Sequence, residues 1–334
     1  MIGVGIIGAG EFAHKHARAI IKNSSTHLIA ACRRNEVELT NFINQYNIFG
    51  YSDYRELLKN NTIDAVVICT PHHLHHQIAT DAAKAGKHIL LEKPMAHNLA
   101  ACDDILKAVK EYQVKFMVGH IIRYMSVFAK AKKLLDEGVI GELVYASAHI
   151  AKKWDTPNRR DWHYNHQQGG GMLKTVGIHY VDLLTWLYQS TVESVKATVS
   201  NPFFRKEADD AAVIFLNFMN GKSGVLTSTG FKRGAPIFEV VITGTKGIIK
   251  ADLFNGLTLG QDEKWQEICT PVKPGVDVEE EALVLEWQDF SEKILTGGEP
   301  SISGDYGRHI IEIVDGAILS SMKGREVLLN AALK

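Results

Sequence analysis

The sequence predicts an α/β chain in two parts: a parallel sheet wrapped by helices, then an α+β part with a mostly antiparallel sheet. Three observations predict it. Wholly apolar strands alternate with helical stretches through the first third, a Gly8-Ala9-Gly10 turn follows the first strand, and beyond about residue 120 strands succeed one another across short turns. Strands that are apolar throughout belong to a sheet buried on both faces. The length of 334 residues suits two domains, expected at 1–120 and at 121–334, with the last helices packing back near the interface.

The elements follow in order. Ile2 to Gly8 reads as a buried strand and Phe12 to Lys22 as a helix, then His27 to Cys32 and Leu39 to Tyr46 repeat the pair. Ile63 to Cys69 is a strand, His75 to Ala85 a helix ended by Gly86, and His88 to Leu91 a strand. Asn98 is the expected N-cap of a helix over Leu99 to Tyr112, and Val114 to Gly119 closes the series. The second part opens with a helix at Ser126 to Asp136 and a strand at Leu143 to Ile150. A polar, Gly-rich loop over 152–171 and a helix at Ile178 to Tyr188 come next. Strands are expected at Val192–Val199, Ala211–Phe218, Gly224–Thr229, Phe238–Thr243 and Ile248–Leu253, with Asn220-Gly221 as a hairpin turn. Two long helices, Glu279–Leu295 and Tyr306–Met322, end the pattern.

Composition narrows the function. Lys and Arg number 37 against 38 Asp and Glu, a net charge of -1, so no global basic field exists for nucleic acid or an anionic membrane. Cys32, Cys69, Cys102 and Cys269 are widely spaced with no CxxC pair, which reads as reduced thiols of a cytoplasmic protein. An apolar strand begins at Ile2 and no apolar run reaches membrane-spanning length, so neither a signal peptide nor a span is expected.

Gly8-Ala9-Gly10-Glu11-Phe12-Ala13 is G-x-G-x-x-A between first strand and first helix. Gly8 permits the turn, Gly10 lets backbone approach a pyrophosphate, and Ala13 keeps helix and sheet close. The helix start, with Glu11 and Phe12, offers amides and a positive dipole end to phosphate. The second strand ends at Arg33-Arg34, where an NAD enzyme usually presents an acid to the ribose. Two guanidinium groups suit a 2′-phosphate, so NADP(H) is favoured over NAD(H).

Two further signals carry chemistry. Glu92-Lys93-Pro94 ends a parallel strand at the edge where such sheets bind ligands. Gly169-Gly170-Gly171 is read as room for backbone to pass near a ligand, and Thr175 and His179, four residues apart, share a face if helical. With these motifs in this order, the chain resembles the glucose–fructose oxidoreductase / inositol dehydrogenase / MocA (Gfo/Idh/MocA) family over essentially its whole length. The matching residues include Thr70-Pro71-x-x-x-His75, Ala85-Gly86-Lys87-His88, Gly138-x-x-Gly141, Gly177-x-His179-x-x-Asp182 and Ser303-Gly304-Asp305-x-Gly307.

The resemblance implies a Rossmann domain, a C-terminal domain whose open, mostly antiparallel sheet often carries homodimer or homotetramer contacts, and an active site between them. It implies Lys93 and His179 as catalytic residues, and cofactor contacts from Thr70, His72, His75, Glu92 and Lys93. In the family an aspartate often precedes the histidine by four residues; here that position is Thr175, which lacks the charge but keeps a hydrogen-bonding hydroxyl. The expected activity is hydride transfer between nicotinamide and a hydroxyl or carbonyl carbon of a sugar, cyclitol or related polyol. His179 is expected as acid/base and Lys93 as orienter and electrostatic stabiliser, with Lys93 itself as the base in an alternative assignment.

The loop over 152–171, with Trp154, Arg159, Arg160, Trp162 and His163, is the expected specificity element, Arg160 and Trp162 foremost. Arg123 and His120 follow as further substrate candidates. The imidazoles of His72, His73, His75 and His76 invite a metal, but no local Cys or carboxylate joins them and no metal is expected. Two other readings stand beside the leading one. One is a redox-neutral enzyme that holds nicotinamide tightly and uses transient oxidation for elimination, glycoside cleavage or sugar exchange; the other is a non-catalytic cofactor-binding regulator.

Overall fold

The structure is a computed structural model that describes residues 1–157, 159–271 and 276–329. The chain divides into two compact units, Met1–Tyr124 with Asp277–Arg308, and Met125–Val276 with His309–Lys334. The segment 277–308 thus returns to the first unit rather than staying with the residues after 120.

In the first unit, β1 (Ile2–Ile7), α1 (Glu11–Lys22), β2 (Thr26–Cys32), α2 (Glu36–Tyr46), β3 (Phe49–Tyr51), α3 (Tyr54–Leu58) and β4 (Ala65–Ile68) come first. α4 (His75–Lys84), β5 (His88–Glu92), α5 (Leu99–Glu111) and β6 (Phe116–Gly119) follow. The six strands pair in parallel in the order β3-β2-β1-β4-β5-β6. β1 and β4 are buried at every residue, which is why they read as unbroken apolar runs. The Asn98 side chain caps α5 by accepting from the Ala101 amide at 2.9 Å, as expected.

In the second unit, α6 (Ser126–Asp136), β7 (Leu143–Lys153), α7 (Ile178–Tyr188) and β8 (Val192–Ser200) precede a run of strands. These are β9 (Ala211–Phe218), β10 (Ser223–Phe231), β11 (Ile237–Gly244), β12 (Gly247–Asp252), β13 (Gly256–Gln261) and β14 (Lys264–Cys269). α8 (Val278–Thr296) lies in the first unit, α9 (Gly304–Lys323) starts there and continues in the second, and β15 (Val327–Leu328) ends the second. The sheet runs β14-β13-β12-β11-β7-β10-β9-β8-β15 and is antiparallel except where β7 meets β10.

Among the described residues β3, α3, β13, β14 and β15 lie outside the expected elements. β3 and α3 are too short to show a period, and β14 is largely exposed, without alternation. β13 joins β14 through Asp262 and Glu263, both at positive φ, a turn more often built from Asn-Gly.

The parallel β7–β10 seam is closed by a helix side chain. Tyr188, at the end of α7, accepts from the Ala146 amide at 2.6 Å and donates to the Ser223 carbonyl. Its ring stacks on Phe218 at 3.9 Å. Tyr188→Phe keeps the ring and strips the buried Ala146 amide of this acceptor. It should destabilise the protein by about 1–3 kcal/mol, read as a lower urea midpoint at unchanged slope.

Candidate active site

Candidate residues occur in both units. In the first, a cleft of about 570 Å³ opens at the carboxyl ends of β1 and β4, lined by Gly8, Gly10, Arg33, Arg34, Thr70 and Pro71 among others. Gly8 has φ +96°, and an added Cβ would lie 2.8 Å from the Cys69 carbonyl, so only glycine fits there. A Cβ on Gly10 would meet nothing nearer than the Gly8 carbonyl oxygen at 3.9 Å, so its α-carbon faces open space. Gly10 caps α1 without a side-chain bond, leaving the helix start turned toward an anion. The Thr70 hydroxyl is buried with no hydrogen-bond partner among the described residues, an orphan that a bound ribose or phosphate would satisfy. These features fit a dinucleotide.

The two arginines differ. Arg33 donates to the Ala9 carbonyl and pairs with Glu38. Arg34 is exposed on the cleft wall and forms no salt bridge among the described residues. Glu11 is exposed, and Phe12 meets the edge of the His16 ring at 5.4 Å.

Two expected cofactor contacts are engaged within the protein. His75 is fully buried, with Nδ1 2.8 Å from the Pro94 carbonyl oxygen and Nε2 2.8 Å from that of Thr70. Glu92 accepts from His16 Nε2 at 2.9 Å, and His16 Nδ1 accepts from the Trp287 indole N–H at 3.1 Å. Indole can only donate, so the His16 proton sits on Nε2. His75 and Glu92 therefore hold the loop around Lys93, His75 through both ring nitrogens and Glu92 through Oε1. His72 is also buried, its ring 5.8 Å from that of His75. Lys93 follows β5, is partly exposed, and is joined to Pro94 by a cis peptide bond. His76 pairs with Asp104 at 3.1 Å while His75 turns inward. Arg123 stacks over the Tyr306 ring at 4.3 Å, and His120 is buried beside the same ring.

In the second unit, a π-helical turn at Leu173–Gly177 runs into α7; such turns recur at functional sites. Thr175 on this turn is buried and His179 in the first turn of α7 is partly exposed. In the preceding loop, where residue 158 lies outside the described residues, Trp154 is 1% exposed. It is thus a core residue and not a platform for a sugar. Arg159 lies 3.9 Å over its ring and donates to its carbonyl at 3.2 Å, and burial pushes the guanidinium down to about 10. Arg160 is exposed, and Trp162 is partly exposed and stacked on His163 at 3.6 Å.

The glycine run is packed against its own chain. A Cβ on Gly170 would lie 2.4 Å from the Trp162 carbonyl oxygen, and one on Gly171, at φ +106°, would lie 2.1 Å from Asp209 Oδ1. Sequence reasoning missed Asp209. Its backbone carbonyl accepts from the Met172 amide at 2.9 Å and its Oδ2 from the Leu173 amide at 2.8 Å. Burial pushes its carboxyl up from 3.8 to about 6. Lys174, beside Thr175, is tied to Asp315 of α9 at 2.7 Å.

A carboxyl whose pKa is raised by folding binds more protons folded than unfolded. Its contribution favours the folded state below about pH 4 and is lost as pH rises toward about 6. Asp209→Asn should abolish this slope. Between pH 4 and pH 7 the stability of the variant should gain about 3 kcal/mol relative to wild type, measured by urea unfolding across that range.

Residues 2–120 match the model of an oxidoreductase family, Gfo/Idh/MocA, with an NAD-binding Rossmann fold, and residues 128–250 match that family's C-terminal domain. The chain is 33% identical over 260 residues to 2,7-anhydro-N-acetylneuraminate hydratase of Escherichia coli strain K12, covering 76% of this chain and 68% of that protein. It is 26% identical to myo-inositol 2-dehydrogenase of Thermotoga maritima over 99% of both. The fold is shared with a solved levoglucosan dehydrogenase in complex with NADH and levoglucosan, at TM-score 0.88 and 24% identity, over 98% of this chain and 99% of that one.

Proposed function

Because the chain belongs to the Gfo/Idh/MocA oxidoreductase family, we propose that it transfers a hydride between a nicotinamide cofactor and a hydroxyl or carbonyl carbon of a sugar, cyclitol or anhydrosugar. The observation that carries this reading is the cleft at the β1–β4 crevice, with Gly10 open to it and the Thr70 hydroxyl unpartnered among the described residues. Gly8, Gly10 and Thr70 would hold the dinucleotide. NADP(H) is the proposed cofactor, with Arg34 as partner of the 2′-phosphate, since Arg33 is already engaged by Ala9 and Glu38. Arg34→Asp should weaken NADPH binding at least about 10-fold while leaving NADH binding within about 3-fold, measured by fluorescence titration.

When bound, the nicotinamide supplies the hydride acceptor or donor. In the oxidative direction His179 takes the hydroxyl proton, and Lys93, as an ammonium, stabilises charge developing on that oxygen. Thr175 hydrogen-bonds without contributing charge, and Arg160, Trp162 and Arg123 are the proposed substrate contacts. The exposed outer face of the second sheet, with Tyr145, Val213, Phe215 and Ile237, suits self-association into a homodimer or homotetramer. A cytoplasmic location accords with four free cysteines.

The hydratase relative favours a second reading, in which cofactor stays bound and each turnover is redox-neutral. Reduced-nicotinamide absorbance with NADP and NAD, against sugars, inositols and anhydrosugars, separates the two. Net turnover supports the dehydrogenase; substrate conversion with retained cofactor and no net absorbance change supports the redox-neutral enzyme. In either case Lys93→Ala should lower kcat at least about 10²-fold, and near wild-type turnover would remove Lys93 from the mechanism.

A further inference from the structure

We propose that Asp209 is a positioning residue whose carboxylate, carried into the core at the start of the Leu173–Gly177 turn, orients the segment that bears Thr175 and His179. Three observations converge on it. The side chain is 4% exposed. It meets the turn twice, through its own carbonyl to the Met172 amide and through Oδ2 to the Leu173 amide. Its Oδ1 lies against the α-carbon of Gly171, buried and with no hydrogen-bond partner among the described residues.

A structural cap would be expected to be satisfied and stabilising. Asp209 is neither. Burial raises its pKa, so ionisation is less favourable in the folded protein than in the unfolded chain. Residues that cost stability and sit beside a catalytic segment are the ones kept for function. The charge also meets a chemical need, because position 175 carries a hydroxyl where a carboxylate would stand in related enzymes.

Other ionisable groups around it bear on the charge. Asp210, the next residue in the segment that leads into β9, raises the Asp209 pKa and Lys174 on the turn lowers it. Lys174 is itself held by Asp315 from α9, and the His163 carbonyl accepts from the Gly171 amide at 2.8 Å.

The proposal rests on His179 carrying the proton, and the test separates the two. Amide exchange over 171–179 in the full chain needs no substrate. After correction for intrinsic rates, wild-type protection should fall by up to about 100-fold between pH 4 and pH 7, as opening of the turn releases the carboxylate to water. Asp209→Asn should show no such step. In turnover, this variant should bind cofactor normally, keep KM, lose about 10-fold in kcat and lose a rate limb near pH 6.

Gly171→Ala, whose Cβ would displace Oδ1, should lose the same limb and serves if Asp209→Asn does not fold. An unchanged exchange step in Asp209→Asn overturns the proposal. So does wild-type kcat with the limb intact, because a limb set by His179 alone would survive the substitution. If His179→Ala turns over normally, the assignment of His179 fails, and the exchange step then decides for or against Asp209.

Discussion

Strand order reverses between β1 and β4, and the first unit's chemistry depends on that reversal. The segments that leave the two strands go to opposite faces of the sheet, so their carboxyl ends border a crevice that no connection crosses. The crevice is narrow at its base because Gly8 packs on the Cys69 backbone with no room for a Cβ. That close approach sets the Thr70 hydroxyl and the start of α1 on one cleft. A side chain at position 8 would push the strands apart and separate them.

Around Lys93 the sequence places polar groups that the fold engages internally. His75 spans the Thr70 and Pro94 carbonyls, tying the cleft wall to the loop after β5. From the other side Trp287 orients His16, and His16 holds Glu92. Lys93 thus projects from a loop anchored by buried polar bonds on both flanks. A long, flexible amine needs such a fixed base if its charge is to meet a particular oxygen.

The second unit solves a similar problem with glycine. Gly170 and Gly171 let the chain lie against the Trp162 carbonyl and the Asp209 carboxylate, and the turn that follows takes its first amide bonds from Asp209. Thr175 and His179 are therefore placed by a residue 36 positions downstream of the amide it holds.

Local pattern was enough for much of this. Apolar runs marked every parallel strand but β3, periodicity placed α6, and the Gly8–Ala13 spacing marked the phosphate-facing helix start, because each depends on near neighbours in the chain. The motifs also identified the family. The roles of single polar side chains were decided only by the tertiary structure. The intramolecular partners of His75 and Glu92 and the burial of Trp154 could not be read from the sequence, and Asp209 carried no local signal at all. A side chain's hydrogen-bond partner and its burial are properties of contacts such as that between His16 and Trp287, 271 residues apart, and no window along the sequence contains both ends.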